Sequence, residues 1–225
     1  MIVTIANCAL QPASDLVAEN LALLRARSGR EVLLLDATPQ QACERWASAR
    51  NRSHLAPALA TRTLRGHGFG DALSALQARF GDIVIDSDGC NGEESRCALI
   101  AAQVAVVPLS PMHADIDARY ELIARLNSAR MFNPHLRVLF VTTGQEGDPD
   151  APERQAMRSY ATQVMSASLA ATVIHLPALR RGADAPGRCA SDTESSTGAV
   201  EMAALYREVY QADPVFIKTR KQVTS

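Results

Sequence analysis

Short apolar runs punctuate the chain at regular intervals. They fall at residues 2–6 (IVTIA), 31–35 (EVLLL), 82–85 (DIVI), 103–107 (QVAVV), 137–142 (RVLFVT) and 171–175 (ATVIH). Each is rich in β-branched residues and has no polar face. That is the pattern of a parallel strand covered by helices on both sides. The segments between them carry apolar residues at helical spacing. Residues 15–28 place Leu16, Val17, Leu21 and Leu24 on one stripe, and Gly29 stands where a helix ends in a left-handed residue. Residues 71–79, 94–101, 114–128, 151–168 and 198–211 read as further helices. Strand–helix alternation predicts an α/β fold: a doubly wound, mostly parallel sheet with helices on both faces. One domain over 1–211 and a basic tail over 212–225 are expected. Residues 47–70 and 180–197 are rich in breakers and polar residues and predict surface loops.

Composition narrows the chemistry. The chain has 225 residues, 47% apolar, enough for one substantial core. Its net charge of −1 gives no general attraction to nucleic acid. No apolar run reaches the length of a membrane helix, and no secretory leader is visible, so a cytoplasmic protein is expected. Five scattered cysteines include no CxxC pair, and five dispersed histidines include no HxH, so no metal site is expected. Of 23 basic residues only Lys218 and Lys221 are lysines. Any mechanism that needs a lysine in residues 1–217 is excluded.

The strand ends hold the remaining candidates, because open parallel sheets bind ligands at their carboxyl edge. The first strand runs into Asn7-Cys8-Ala9-Leu10-Gln11-Pro12-Ala13-Ser14-Asp15. The second ends at Asp36, in LLLDATPQ. The third ends at Asp86 and Asp88, in IVIDSDG. Such acids hold magnesium in some proteins and cap helices or turns in many more. Cys8 and Cys90 lie near the same edge, but no base is placed beside them, which favours inert thiols.

Several segments together resemble the ParA/MinD family of deviant-Walker-A ATPases, in particular short plasmid-partition ParA proteins. LLLDATPQQACERW resembles the family's VDxDPQ segment and its following tryptophan. GDIVIDSDG resembles the Walker B strand, VVPLSPMHADID the VVPxxPSPxD turn, and ESSTGAVEMAALYREVY the C-terminal helix. The resemblance runs from Met1 to about Gln211 and implies a P-loop NTPase-like fold.

On that resemblance the first loop aligns without gaps to N-x-K-G-G-x-G-K-T-T. Asn7 is kept. The signature lysine is Ala9, the three glycines are Leu10, Gln11 and Ala13, the phosphate lysine is Ser14, and the magnesium hydroxyl is Asp15. The first acid of the second strand is kept as Asp36, and the second, which positions water in the family, is Thr38. Asn7, Ala9, Ser14, Asp15, Asp36, Thr38 and Asp86 thus mark a degenerate nucleotide site with no catalytic residue. A phosphate cradle needs converging backbone N–H groups and glycine's freedom, and Pro12 has no N–H to offer. Asp15, with Ser14 as N-cap, puts a carboxylate where a helix N-terminus would attract phosphate.

The resemblance therefore implies a ParA-like protein that has lost Walker A and does not bind ATP or magnesium. It would serve as a binding or scaffold protein in plasmid or mobile-element partition, maintenance or conjugation. Its partners would be a protein adaptor and, through Arg180, Arg181, Arg188, Lys218, Arg220 and Lys221, weak nonspecific DNA; the neutral balance favours solvated charges for these. It would be a monomer or a nucleotide-independent homodimer. The alternative is an active ParA-type ATPase with a non-standard phosphate site, magnesium being held by Asp36, Asp86 and Asp88.

Overall fold

The computed structural model describes residues 1–6, 13–87, 92–110, 116–145, 147–181 and 185–210. In chain order the elements are β1 (Ile2–Ala6), α1 (Ser14–Arg27), β2 (Val32–Asp36), α2 (Ala42–Arg52) and β3 (Ala60–Thr63). Next come α3 (Phe69–Arg79), β4 (Asp82–Ser87), α4 (Glu93–Ala101), β5 (Val104–Leu109) and α5 (Ile116–Phe132). They are followed by β6 (Arg137–Gly144), α6 (Ala151–Ala161), β7 (Ala167–His175), α7 (Leu176–Arg181) and α8 (Thr197–Tyr210). A single 3-10 turn, Ala190–Asp192, precedes α8. The strands form one parallel sheet in the order β3-β2-β4-β1-β5-β6-β7. The expected fold class is the one observed. No helix among the described residues is long and apolar enough to cross a membrane.

Strand alternation divides the core in two. Leu33, Leu35, Ile83 and Ile85 face the layer of α3, α4, α5 and α6. Val32, Leu34 and Val84 face the layer of α1, α2, α7 and α8. Neighbouring strands β1 and β4 send their following helices, α1 and α4, to opposite layers. The crevice this opens at their carboxyl ends is the usual ligand position of a doubly wound sheet.

Three expectations change. Residues 47–70 are not one loop: α2 continues to Arg52, and β3 adds an edge strand to β2. The segment ATRT of β3 is short, polar and mostly exposed, so it lacks an apolar signal. The helix expected over 151–168 stops at Ala161, and β7 begins at Ala167. Residues 180–197 are not a surface loop throughout, since Cys189 and Ala190 are fully buried. Side chains from the neighbouring helices satisfy this segment's backbone, which makes burial affordable. Trp46 Nε1 donates to the Arg188 carbonyl at 3.0 Å, and Arg50 Nη1 to the Gly187 carbonyl at 3.1 Å. Asn20 Oδ1 accepts from Ser191 N at 2.9 Å and from its hydroxyl at 2.7 Å. Gly29 ends α1 as expected, with φ of 83°.

The 185–192 segment is locked by charge. Arg50 is completely buried and donates to Asp192 Oδ2 at 2.8 Å, and Arg27 donates to Asp192 Oδ1 at 2.7 Å. Gly187 has φ of 78°, and a Cβ there would lie 2.3 Å from the Arg50 backbone. Asp192→Ala leaves a buried guanidinium without its counter-ion and is expected to cost about 3–5 kcal/mol. Gly187→Ala is expected to destabilise as well, through its left-handed backbone and the clash. Urea denaturation midpoints measure both. An unchanged midpoint for Asp192→Ala would show that Arg50 finds another anion.

Candidate functional site

Parity along the strands places the strand-end acids under α1 and α2. Asp36 and Asp86 are register partners on β2 and β4, on the face of Val32, Leu34 and Val84. Asp36 is fully buried and its oxygens are spoken for. Its Oδ1 accepts from Thr38 N at 2.9 Å and from Thr38 Oγ1 at 2.8 Å, and its Oδ2 accepts from Glu44 N at 3.1 Å. Glu44 is the third residue of α2, so Asp36 closes the turn and caps the helix from outside its first residue. Thr38 Oγ1 in turn accepts from Gln41 N at 3.2 Å. Of the two uses open to an acid at this strand end, Asp36 is committed to capping.

Asp86 is different. It is 1% exposed, its Oδ2 lies 3.4 Å from the Cys43 thiol, and its Oδ1 has no hydrogen-bond partner among the described residues. Burial, then the charges of Asp15 and Asp36, push its pKa up to about 7, and hydrogen bonds from Cys43 and Ser14 only partly offset this. Glu19 sits one helical turn beyond Asp15 on α1 and is 4% exposed. Burial, then Asp15, Asp86 and Asp36, hold its pKa well above the carboxylate range. Burial and then Asp86 also drive the Cys43 thiol far upward, so it is a thiol and not a nucleophile.

The structure therefore brings Ser14, Asp15, Asp36, Thr38 and Asp86 to one edge and adds Glu19 and Cys43. Ser14 is not the N-cap: Ala13 holds that position without a side-chain bond, Ser14 is the first helical residue, and its hydroxyl serves Asp86. Asp15 Oδ1 accepts from Leu16 N at 2.8 Å. Asn7, Cys8, Ala9, Asp88, Cys90, Lys218, Arg220 and Lys221 lie outside the described residues, as does the side chain of Arg181. Arg180 and Arg188 are exposed. Among the described residues no group of three or more His, Cys, Asp or Glu is arranged to hold a metal ion.

Four carboxylates thus share one edge, and the charges acting on Glu19 and Asp86 are all carboxylates. At the other end of β4, Asp82 is equally buried but meets Arg30 at 2.8 Å, Arg25 at 3.0 Å and the terminal amine at 3.6 Å. Burial would raise its pKa, yet the Arg30 and Arg25 hydrogen bonds outweigh burial and hold it low. The contrast isolates the cause: among the described residues no cation offsets the burial of Asp86 and Glu19 as Arg25 and Arg30 offset that of Asp82.

Solved structures with this fold are well represented. The MinD cell division protein of Aquifex aeolicus matches with a TM-score of 0.68 at 13% identity, over 94% of this chain and 97% of that one. The ParA family ATPase of Chlorobium tepidum TLS matches with a TM-score of 0.67 at 11% identity, over 91% and 96%. A plasmid partition protein of Borrelia burgdorferi matches with a TM-score of 0.61 at 13% identity, over 97% and 98%. The chain has the fold of the MinD and ParA ATPases. No family model matches its sequence, and comparison with curated proteins finds no match. The acid cluster lies at the carboxyl ends of β2 and β4, beside the start of α1.

A second charged contact closes the same edge at β7. His175 Nδ1 lies 2.7 Å from Glu201 Oε1 on α8, and His175 N donates to Glu201 Oε2 at 2.9 Å. His175 Nε2 faces Asp148 Oδ1 at 3.7 Å. The Glu201 hydrogen bond raises the His175 pKa above its usual value, against a smaller effect of burial.

Two pH effects follow, and in both stability falls as pH rises. Asp86 has a folded pKa near 7, above its unfolded value of 3.8. The folded state then holds the extra proton between those values, and stability falls as pH rises from about 4 to about 7. Asp86→Asn removes that dependence and is expected to raise Tm by at least about 5 °C at pH 8, and by little at pH 4.5. Calorimetry at both pH values checks it; a pH-independent difference would mean that Asp86 stays ionised. For His175 the raised pKa contributes stability below its unfolded pKa that is lost as pH rises through the folded one. Glu201→Gln is expected to move the His175 pKa down, as read from its ring-proton NMR titration.

Proposed function

We propose that this chain is a ParA-like pseudo-ATPase, a non-hydrolysing binding or scaffold protein in plasmid or mobile-element partition, maintenance or conjugation. One observation carries the reading. The edge that would receive a nucleotide's phosphates holds four neighbouring carboxylates, and burial first, then the neighbouring acids, push Asp86 and Glu19 toward their neutral forms. A triphosphate brings several more negative charges to a place already short of cations. P-loop sites answer those charges with backbone N–H groups, a lysine and magnesium. Here no lysine precedes residue 218, and Ser14 and Asp15 stand where the resemblance puts the phosphate lysine and the metal hydroxyl. Asp36, the acid kept from the family, has both oxygens engaged by Thr38 and Glu44. The described residues do not fit magnesium and a triphosphate, and no hydrolytic step is assigned.

The plasmid setting is supported by the resemblance of the motifs and by the similarity to the Borrelia burgdorferi partition protein. A protein adaptor is the partner this reading implies. Self-association has to proceed without nucleotide, because the reading removes the bridge that nucleotide would supply.

Titration calorimetry with ATP and magnesium tests the proposal. No binding is expected at ATP concentrations up to about 1 mM, an affinity weaker than about 4 kcal/mol. Micromolar binding that Asp86→Ala abolishes would overturn it in favour of an ATPase with a non-standard phosphate site.

A further inference from the structure

The outer strands of the sheet are β3 and β7, and their free edges are treated differently. α8 lies along β7 and takes up its outward N–H groups with two glutamates. Glu208 accepts from Ala171 N and Thr172 N, both at 2.9 Å, and Glu201 accepts from His175 N at 2.9 Å. That edge is closed to another strand. Among the described residues nothing covers β3 in this way, and Ala60, Arg62 and Thr63 are exposed along it. The ladder decides which of its backbone groups are left over. Ala37 N donates to Asp86 O, so the odd-numbered residues at the end of β2 bond β4 and the even-numbered ones bond β3. Leu64 N accordingly donates to Asp36 O at 3.1 Å. Ala60 and Arg62 are therefore engaged with β2, while the N–H and C=O groups of Thr61 and Thr63 point away from the sheet. No hydrogen bond from the described residues reaches those groups.

Outward donors and acceptors in this order fit extended backbone. The residue between them selects the occupant. An antiparallel strand that bonds both Thr61 and Thr63 sets one of its own residues directly across from Arg62, with Cβ atoms roughly 5 Å apart. Arg62 is exposed and has no hydrogen-bond or ion-pair partner among the described residues. Its basic neighbours in sequence are engaged elsewhere. Arg50 holds Asp192, Arg45 donates to the Gln40 carbonyl, His67 meets Glu93, and Arg65 acts on Glu94. A second copy of the chain that used both threonines of each β3 would set Arg62 against Arg62, and like charges directly opposite destabilise such a pair. A carboxylate in the same place is attracted instead. We infer that the β3 edge binds an extended segment of a partner protein as an added strand, with a carboxylate side chain across from Arg62. The pairing needs no nucleotide and does not rest on the function proposed above.

Amide NMR titration of the full chain tests this. The probe is a peptide of about nine alternating Thr and Val residues with Glu at its centre, and its counterpart has Lys at the centre. The Glu peptide is expected to move the Thr61 and Thr63 amide protons downfield with a Kd of about 1 mM or tighter. The Lys peptide is expected to bind about fivefold or more weakly. Arg62→Glu, at an exposed position, is expected to invert that order. Thr63→Pro removes one outward donor where an edge strand tolerates proline, and is expected to weaken the Glu peptide about fivefold or more, its Tm reporting that the fold is kept. No binding of the Glu peptide at about 5 mM, equal binding of the two peptides, or an order that Arg62→Glu leaves unchanged would overturn the inference. So would a dimer in sedimentation that Thr63→Pro dissolves, since the edge would then serve a second copy of this chain.

Discussion

The inner strands β1, β2, β4 and β5 are covered on both faces, and this constraint organises the molecule. Polar groups have no place along such strands, so they gather at the ends. β4 shows it in six residues. Asp82 and Asp86 bracket Ile83, Val84 and Ile85, and all five are buried. What separates the two acids is company. Asp82 has Arg25, Arg30 and the terminal amine. Asp86 has Asp15, Asp36 and Glu19 within electrostatic reach. One end of the strand is an ion-pair anchor, and the other is an unbalanced pocket.

The unbalanced end exists because the surrounding packing over-determines it. α1 is buried on most of its surface, between the sheet, α2 and α8, so that even Glu19 and Asn20 have no solvent. Asn20 repays its burial with bonds to Ser191 and Leu16. Glu19 is left with acids. α2 is held by Asp36 at its start and by the Arg50–Asp192 pair farther on. With both helices fixed, the carboxylates cannot move apart, and burial first, then their mutual repulsion, raises the proton affinity of Glu19 and Asp86.

Much of this was legible from particular residues. The two-sided apolar runs announced the strands, and Gly29 announced the end of α1. Asp36 and Asp86 stood at strand tips in plain sight. β3 was not legible, because ATRT owes its strand to pairing with β2 and not to any apolar face of its own. The end of α6 was not legible either: residues beyond Ala161 keep a helix-compatible pattern, and only pairing with β6 makes Ala167–His175 a strand. Glu19 carried one weak hint, the like charge four residues earlier at Asp15, an arrangement that destabilises an exposed helix. Cys43 carried none.

The sequence by itself determined the layered α/β plan, the absence of lysine from the body of the chain, and a first loop, residues 7–15, without glycine or lysine. These are local facts, set by periodicity and residue chemistry. Tertiary structure alone decided which acids meet. Asp15, Glu19, Asp36 and Asp86 come from α1, β2 and β4, and the parallel register of β2 with β4 under α1 brings them together. Whether a carboxylate is a cap, an ion-pair partner or a proton-holding neighbour depends on the charges that packing places around it, and those lie far away in sequence.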